Sequence, residues 1–221
     1  TANEKWCIDD LTIYGTSTCT PPPTPTAPTA AANPSCGATT LNTLTPAAGE
    51  TWYWQGTNAS GTSTASPTSS TYPVSVSGTY YVRAQDNATL CWSTVSSSIV
   101  MVINSSPSIS SHPANTNVSA GSNATFNITA SGGGLTYQWQ EDQGGGFVNI
   151  SDGGIYSGCT TNTLTLSGVT LPMDTWEYQC IVTGACTPSI TSNPGILSVV
   201  TTSVGDYRTI ASGNWAVNTT W

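Results

Sequence analysis

Lysine and arginine are almost missing from this chain: Lys5, Arg83 and Arg208 are the only three in 221 residues, beside a single histidine, His112. Binding a phosphate backbone needs clustered basic side chains, and electrostatic docking on anionic lipid needs them too, so nucleic acid and membrane surfaces are excluded as partners. Charged residues of either sign make up 6%, against a usual share of about 25%. Eleven Asp and Glu leave a formal net charge of −8. No apolar run approaches the roughly 20 residues of a spanning helix, so membrane insertion is not expected. Convincing helical periodicity is missing as well.

Hydroxyls fill the gap. Threonine and serine number 39 and 29, beside 8 Trp, 9 Tyr and 2 Phe, and the hydrophobic fraction is 37%. That is enough apolar mass to build a core, so wholesale disorder is excluded. Seven cysteines without a CxxC pair favour an oxidising compartment and structural disulfides. Cys7, Cys19, Cys36, Cys91, Cys159, Cys180 and Cys186 make an odd count, so at least one thiol is free or pairs with a missing segment. With a single imidazole and no CxxC pair, a zinc site is not expected. The chain opens on Thr1, and Ile8–Tyr14 alternates as a strand already under way, so both ends read as cuts through a longer polypeptide.

Residues 20–33, TPPPTPTAPTAAAN, read as a linker. Alternating Pro and Thr favours polyproline II, which would make a semi-rigid spacer of about 40 Å. Two segments that repeat each other follow. The first holds Thr51-Trp-Tyr-Trp54-Gln55, Gly78-Thr-Tyr80-Tyr-Val82 and Ser98–Ile103. The second holds Tyr137-Gln-Trp139-Gln140, Trp176-Glu-Tyr178-Gln-Cys180 and Gly195–Val200. A Trp-Gln strand, a Tyr-x-(Val/Cys) strand and a closing aliphatic strand recur in one order, an internal repeat of about 90 residues. Period-two alternation, as in Ala124, Phe126, Ile128 and Ala130 against Thr125, Asn127 and Thr129, places apolar groups on one sheet face and hydroxyls on the other. The expected class is all-β: two tandem sandwiches at 34–104 and 105–200, joined to partial β-domains at 1–19 and 201–221.

These residues resemble an immunoglobulin-like domain of bacterial type. Gly121-x-x-Ala-Thr-Phe126-x-Ile128 is similar to its B strand, Tyr137-Gln-Trp139-Gln140 to strand C with the buried Trp, and Tyr178-Gln-Cys180 to strand F with Tyr178 as the tyrosine corner. The resemblance implies a core of Phe126, Ile128, Trp139 and Tyr178 in the second module and of Trp54, Tyr80 and Val82 in the first. Ile128 stands where the family often has a B-strand Cys, so the B–F disulfide is lost; Cys180 is expected to bridge to Cys186 and Cys36 to Cys91, which with Cys7 and Cys19 makes six disulfide candidates and leaves Cys159 as the unpaired one. The first module resembles those of large repeat-bearing surface proteins exported by the type IX pathway of gliding bacteria. Trp6–Gly15 is similar to the closing strand of a jelly-roll domain.

Catalytic chemistry finds little footing. His112 lies in Ser110-Ser-His-Pro113, a loop-like stretch without a partnered nucleophile. The carboxylates Glu141, Asp142 and Asp152 sit among glycines and read as solvated turn residues rather than a glycosidase pair. Asp9 and Asp10 are weak calcium candidates, since no D-x-D-x-D loop accompanies them; no cofactor and no other metal is expected. Trp52, Trp92 and Trp176 are glycan-stacking candidates if exposed, and sandwich caps if not. Eight N-x-S/T sequons occur, at Asn58, Asn87, Asn104, Asn117, Asn123, Asn127, Asn149 and Asn218; if the bacterial resemblance holds, the eukaryotic N-glycosylation route does not apply. Thr24, Thr26 and Thr29 suit O-glycans. No lysine lies between 34 and 200, which excludes a Lys–Asn isopeptide staple there.

The expected role is that of a non-catalytic spacer or stalk in a secreted or cell-surface protein, or part of an adhesive fibre. Its expected partners are neighbouring domains of the same polypeptide and identical subunits. Two alternatives stand beside it: a module pair that binds glycan or protein, and an accessory region of a secreted protease or glycosidase. Scarce charge also leaves sheet edges without their usual guard, so edge pairing in a fibre stays open.

Overall fold

The structure, a computed structural model, describes residues 19–42, 45–69 and 71–201, and the chain divides into two units between Ile103 and Asn104. Cys7, Asp9, Asp10 and Asn218, with the flanking segments expected to belong to neighbouring domains, lie outside the described residues. The described elements are strands, apart from one 3-10 turn at Leu171–Met173. No helix among the described residues is long and apolar enough to cross a membrane.

Unit 1 contains β1 (Ser35–Cys36), β2 (Thr39–Leu41), β3 (Glu50–Trp54), β4 (Tyr72–Val74), β5 (Gly78–Asp86) and β6 (Ser97–Met101), with β7 (Ile103–Asn104) at the boundary. Strands β3, β5 and β6 form one antiparallel sheet and β2 pairs with β4. The register sets Trp54 opposite Val82 and Trp52 opposite Ala84, so alternate residues of both strands reach the same side. That side is the core: Leu41, Trp52, Trp54, Val74, Tyr80, Val82, Ala84 and Met101 are buried together. Trp54 stacks on Tyr72 at 5.1 Å between ring centroids. The free edge of β3 is closed by residues 66–68, through Trp54 N–H to Ser66 O at 2.8 Å and Thr68 N–H to Trp52 O at 2.8 Å.

The Pro/Thr segment departs from the expected free spacer. Pro22, Pro25 and Pro28 are buried while Thr24, Thr26 and Thr29 are exposed. A polyproline II helix turns once in three residues, so prolines three apart share a face, and here that face lies on unit 1. Ala30 bridges to Leu41, and Asn42 N–H donates to Thr29 O at 2.9 Å. Ser97 Oγ donates to Pro25 O. A disulfide joins Cys19 to Cys91 across 72 residues, which overturns the expected Cys36–Cys91 pairing. Cys36 is disulfide-bonded, but not to Cys91. Residues 20–33 are therefore a strap on the module, and what displaced the spacer reading is burial that only a folded neighbour can provide.

Unit 2 contains β8 (Ser108–Ser111), β9 (Thr116–Ser119), β10 (Ala124–Asn127), β11 (Thr129–Ser131), β12 (Thr136–Asp142), β13 (Val148–Asn149), β14 (Tyr156–Ser157), β15 (Thr163–Leu166), β16 (Glu177–Thr183), β17 (Ile190–Thr191) and β18 (Gly195–Val200). One sheet runs β13-β12-β16-β18-β9, with β17 also on β16; the second runs β10-β15-β14, and β8 pairs with β11. Between them lie Phe126, Ile128, Trp139, Leu164, Leu166, Tyr178, Cys180, Val182 and Leu197, all buried. Trp139 faces Cys180 across the β12–β16 ladder, and its Nε1 donates to Thr161 O at 2.9 Å, so the largest core side chain is both packed and satisfied. Phe126 and Tyr178 meet at 4.8 Å between ring centroids.

Candidate functional site

Ionisable side chains are so few that the use of nearly every described one can be followed, and most are spent on the backbone. Asp142 Oδ1 accepts from the N–H groups of Gly144, Gly145 and Gly146 at 2.7, 2.9 and 2.8 Å. Those bonds, that of Gly146 foremost, hold its carboxyl below the usual carboxylate range. Asp86 does the same with Thr89 and Ala88. Asp152 Oδ1 accepts from Cys159 N–H at 2.7 Å, and its carboxyl is likewise lowered. Gly144 and Gly146 adopt φ of +98° and +102°, which lets three successive amides converge on one oxygen.

Glu141 differs from the solvated turn residue expected of it. It is buried, and its carboxylate accepts from Tyr156 Oη at 2.5 Å and from Gln143 Nε2 at 2.8 Å. Tyr178 stands opposite Glu141 in the β12–β16 register. Burial and the neighbouring Glu141 push the ionisation of Tyr156 and Tyr178 far above the usual phenol range. The Tyr178 hydroxyl makes no hydrogen bond of good geometry, so it does not form the tyrosine corner expected of it. Tyr80 of unit 1 makes that kind of contact instead, its hydroxyl donating to Val76 O, four residues upstream, at 2.7 Å.

Cys159 and Cys180 are free and buried. The expected Cys180–Cys186 bridge is therefore absent, and Cys186 is disulfide-bonded. A thiolate in an apolar core is poorly solvated, and burial pushes the Cys159 thiol up to about 12 and the Cys180 thiol to about 11. His112 is exposed and its Nδ1 accepts from Asn193 N–H at 3.0 Å, with no nucleophile bonded to it.

Arg83 is a structural clamp that sequence reading missed. Its guanidinium donates to Ser60 O at 3.2 Å, Gly61 O at 3.1 Å and Ser93 O, and lies over the Trp92 ring at 5.6 Å. Trp92 also meets Tyr53 at 5.6 Å, which makes it a cover for the clamp. Trp52 is buried and donates to Glu50 Oε2 at 2.9 Å, and Trp176 packs against the core of unit 2. Of the three glycan-stacking candidates Trp52 is buried, while Trp92 and Trp176 are half-buried. Within each unit no ligand-sized cleft opens among the described residues, and no group of three or more His, Cys, Asp or Glu could hold a metal.

No protein-family model matches the chain, and no curated protein matches it. Solved structures do. The N-terminal eight immunoglobulin domains of Down Syndrome Cell Adhesion Molecule align over 78% of this chain and 24% of theirs, at 14% identity and a TM-score of 0.51. The titin I-band fragment I67–I69 aligns over 78% of this chain and 65% of its own, at 16% identity and 0.47. Sidekick-1 immunoglobulin domains 1–5 align over 79% and 40%, at 15% identity and 0.42. The chain thus spans about a quarter of the cell-adhesion fragment. At this identity the likeness is one of fold alone: the chain is all-β and built as tandem immunoglobulin-like domains.

Proposed function

We propose that this chain is a non-catalytic spacer or stalk segment of a large secreted or cell-surface protein that holds binding domains away from the cell. The supporting observation is how the ionisable groups are used. Asp86, Asp142 and Asp152 tie turns, Arg83 ties loops, Glu141 is buried, and His112 accepts a backbone bond. A tandem of such units provides length, and its hydroxyl-rich faces stay hydrated without needing charge. The resemblance of the first module to type IX-exported repeat proteins makes a bacterial surface our preferred setting, and further copies would add avidity to weak terminal contacts.

Deleting residues 19–201 from the parent protein in its own cell tests the reading. The purified deletion protein should keep the ligand binding of the parent, while attachment of whole cells to a distant surface falls. Loss of ligand binding by the purified deletion protein would place recognition in these modules and sink the spacer role.

A further inference from the structure

A pull on the chain enters unit 1 along the backbone at Cys19 and leaves it at Ile103, where the unit ends. Between those points the covalent structure offers a shortcut. The Cys19–Cys91 disulfide brings the two Cα atoms to 5.8 Å and closes a loop with a sequence separation of 72. Strands β2, β3, β4 and β5 all lie inside that loop. From Cys91 the route to Ile103 runs through β6, which is already extended. Its roughly 12 residues reach no more than about 40 Å when fully stretched, so little slack is left. The pull acts on both ends of β6 along its own axis, so the β5–β6 ladder is not sheared.

A second covalent route lies beside the first. The strap runs from Cys19 to Ser35, whose N–H donates to Val102 O at 2.9 Å. The Asn33 side chain donates to Val100 O at 2.6 Å and accepts from Val102 N–H at 3.0 Å. Cys36 follows at the same end, in β1 paired with β7, and is itself disulfide-bonded. A pull that leaves through that bond instead of the main chain travels along the strap, and it passes β2–β5 by as well. Neither route contains any residue from 37 to 90.

We propose that unit 1 is a load-bearing link in which covalent structure alone carries tension, while the folded strands β2–β5 carry none. This rests on the stalk reading, since a stalk is what is pulled. In a module that lies in the line of force, hydrogen bonds and buried side chains must resist the pull, and its lifetime is then governed by the unfolding rate. Here most of the core stands outside that line: Trp54, Val74, Tyr80 and Val82 are buried together inside the closed loop. The link keeps its length under load whatever the stability of that core.

Single-molecule force spectroscopy of the full chain, held at its two termini, tests this. The oxidised chain at full stretch should fall short of its reduced length by at least about 250 Å, the reach of the closed loop at ~3.5 Å per residue. Val82→Ala, which weakens the core of unit 1, should leave every opening force of the oxidised chain unchanged. Cys36→Ser with Cys186→Ser removes the other bonded cysteines of the described residues. In that chain the shortfall should persist at the reach of the closed loop, and Val82→Ala should still be silent. Adding Cys19→Ser and Cys91→Ser should recover the whole length, whether or not unit 1 folds without its disulfide. A shortfall well under the reach of the loop, an opening force of the oxidised chain that Val82→Ala lowers, or a chain stripped of those cysteines that stretches no further than its parent would each overturn the proposal. The traces need no ligand, so they stand or fall separately from the deletion that tests the stalk role.

Discussion

Arg83 shows how a residue to which the sequence assigns no role can be a structural tie in space. Three carbonyl oxygens accept from the two terminal nitrogens of its planar fork. A lysine carries the charge without the fork, so Arg83→Lys should lower the stability of unit 1 by about 1–3 kcal/mol in urea denaturation followed by Trp fluorescence. An unchanged midpoint would mean that the clamp contributes nothing. The two buried thiols make a second prediction at this scale. Iodoacetamide at pH 8 should leave Cys159 and Cys180 unlabelled in native protein and label both after unfolding, read by mass spectrometry. Their folded values, about 12 and about 11, lie above the ordinary 9.0. Their contribution is therefore complete below about pH 9 and is lost as pH rises toward 11–12.

At the level of elements, the turns and the strap matter most. The Asp142 carboxyl is held below its ordinary 3.8 by the amides of Gly146, Gly144 and Gly145. A lowered carboxylate stabilises above its unfolded value and stops doing so as pH falls through the folded one. The turn should therefore loosen only below about pH 4, and Asp142→Asn should loosen it at every pH, seen as faster exchange of the three glycine amides. Equal exchange in mutant and parent at pH 7 would contradict this. In the strap, period three is the functional spacing. Inserting one alanine after Pro25 turns Pro28 away from the module, and the apolar burial lost should cost unit 1 about 1–2 kcal/mol. A spacer that touched nothing would accept the insertion without effect.

For the whole molecule, the consequence of scarce charge is separation of tasks. Each unit has its own buried cluster. Leu164 is fully buried in unit 2, and Leu164→Ala should destabilise that unit by about 2–5 kcal/mol through lost burial and a residual cavity. The native β3–β5 amide exchange of unit 1 reports whether the damage stays local. Guarding of edges also differs from the common pattern of lysines and glutamates. In unit 1 chain segments do that work: residues 66–68 over β3 and the strap over β6. Edge pairing between copies, left open by composition, is thus closed at those two edges by the molecule itself.

Sequence alone determined the all-β class, the tandem arrangement and the alternation that buries Trp54, Val82, Phe126 and Trp139, because a strand's period of two is local and binary. It also displayed the scarcity of lysine and arginine, because charge is counted without coordinates. Tertiary structure decided everything that depends on which distant groups meet. It joined Cys19 rather than Cys36 to Cys91, left Cys180 a thiol, buried Glu141 against Tyr156, and turned a proline run from spacer to strap. Pro22, Pro25 and Pro28 stand three apart along the chain, but a face needs a neighbour before its burial has meaning. Pairing and burial are properties of approach in space, and spacing along the chain does not set them.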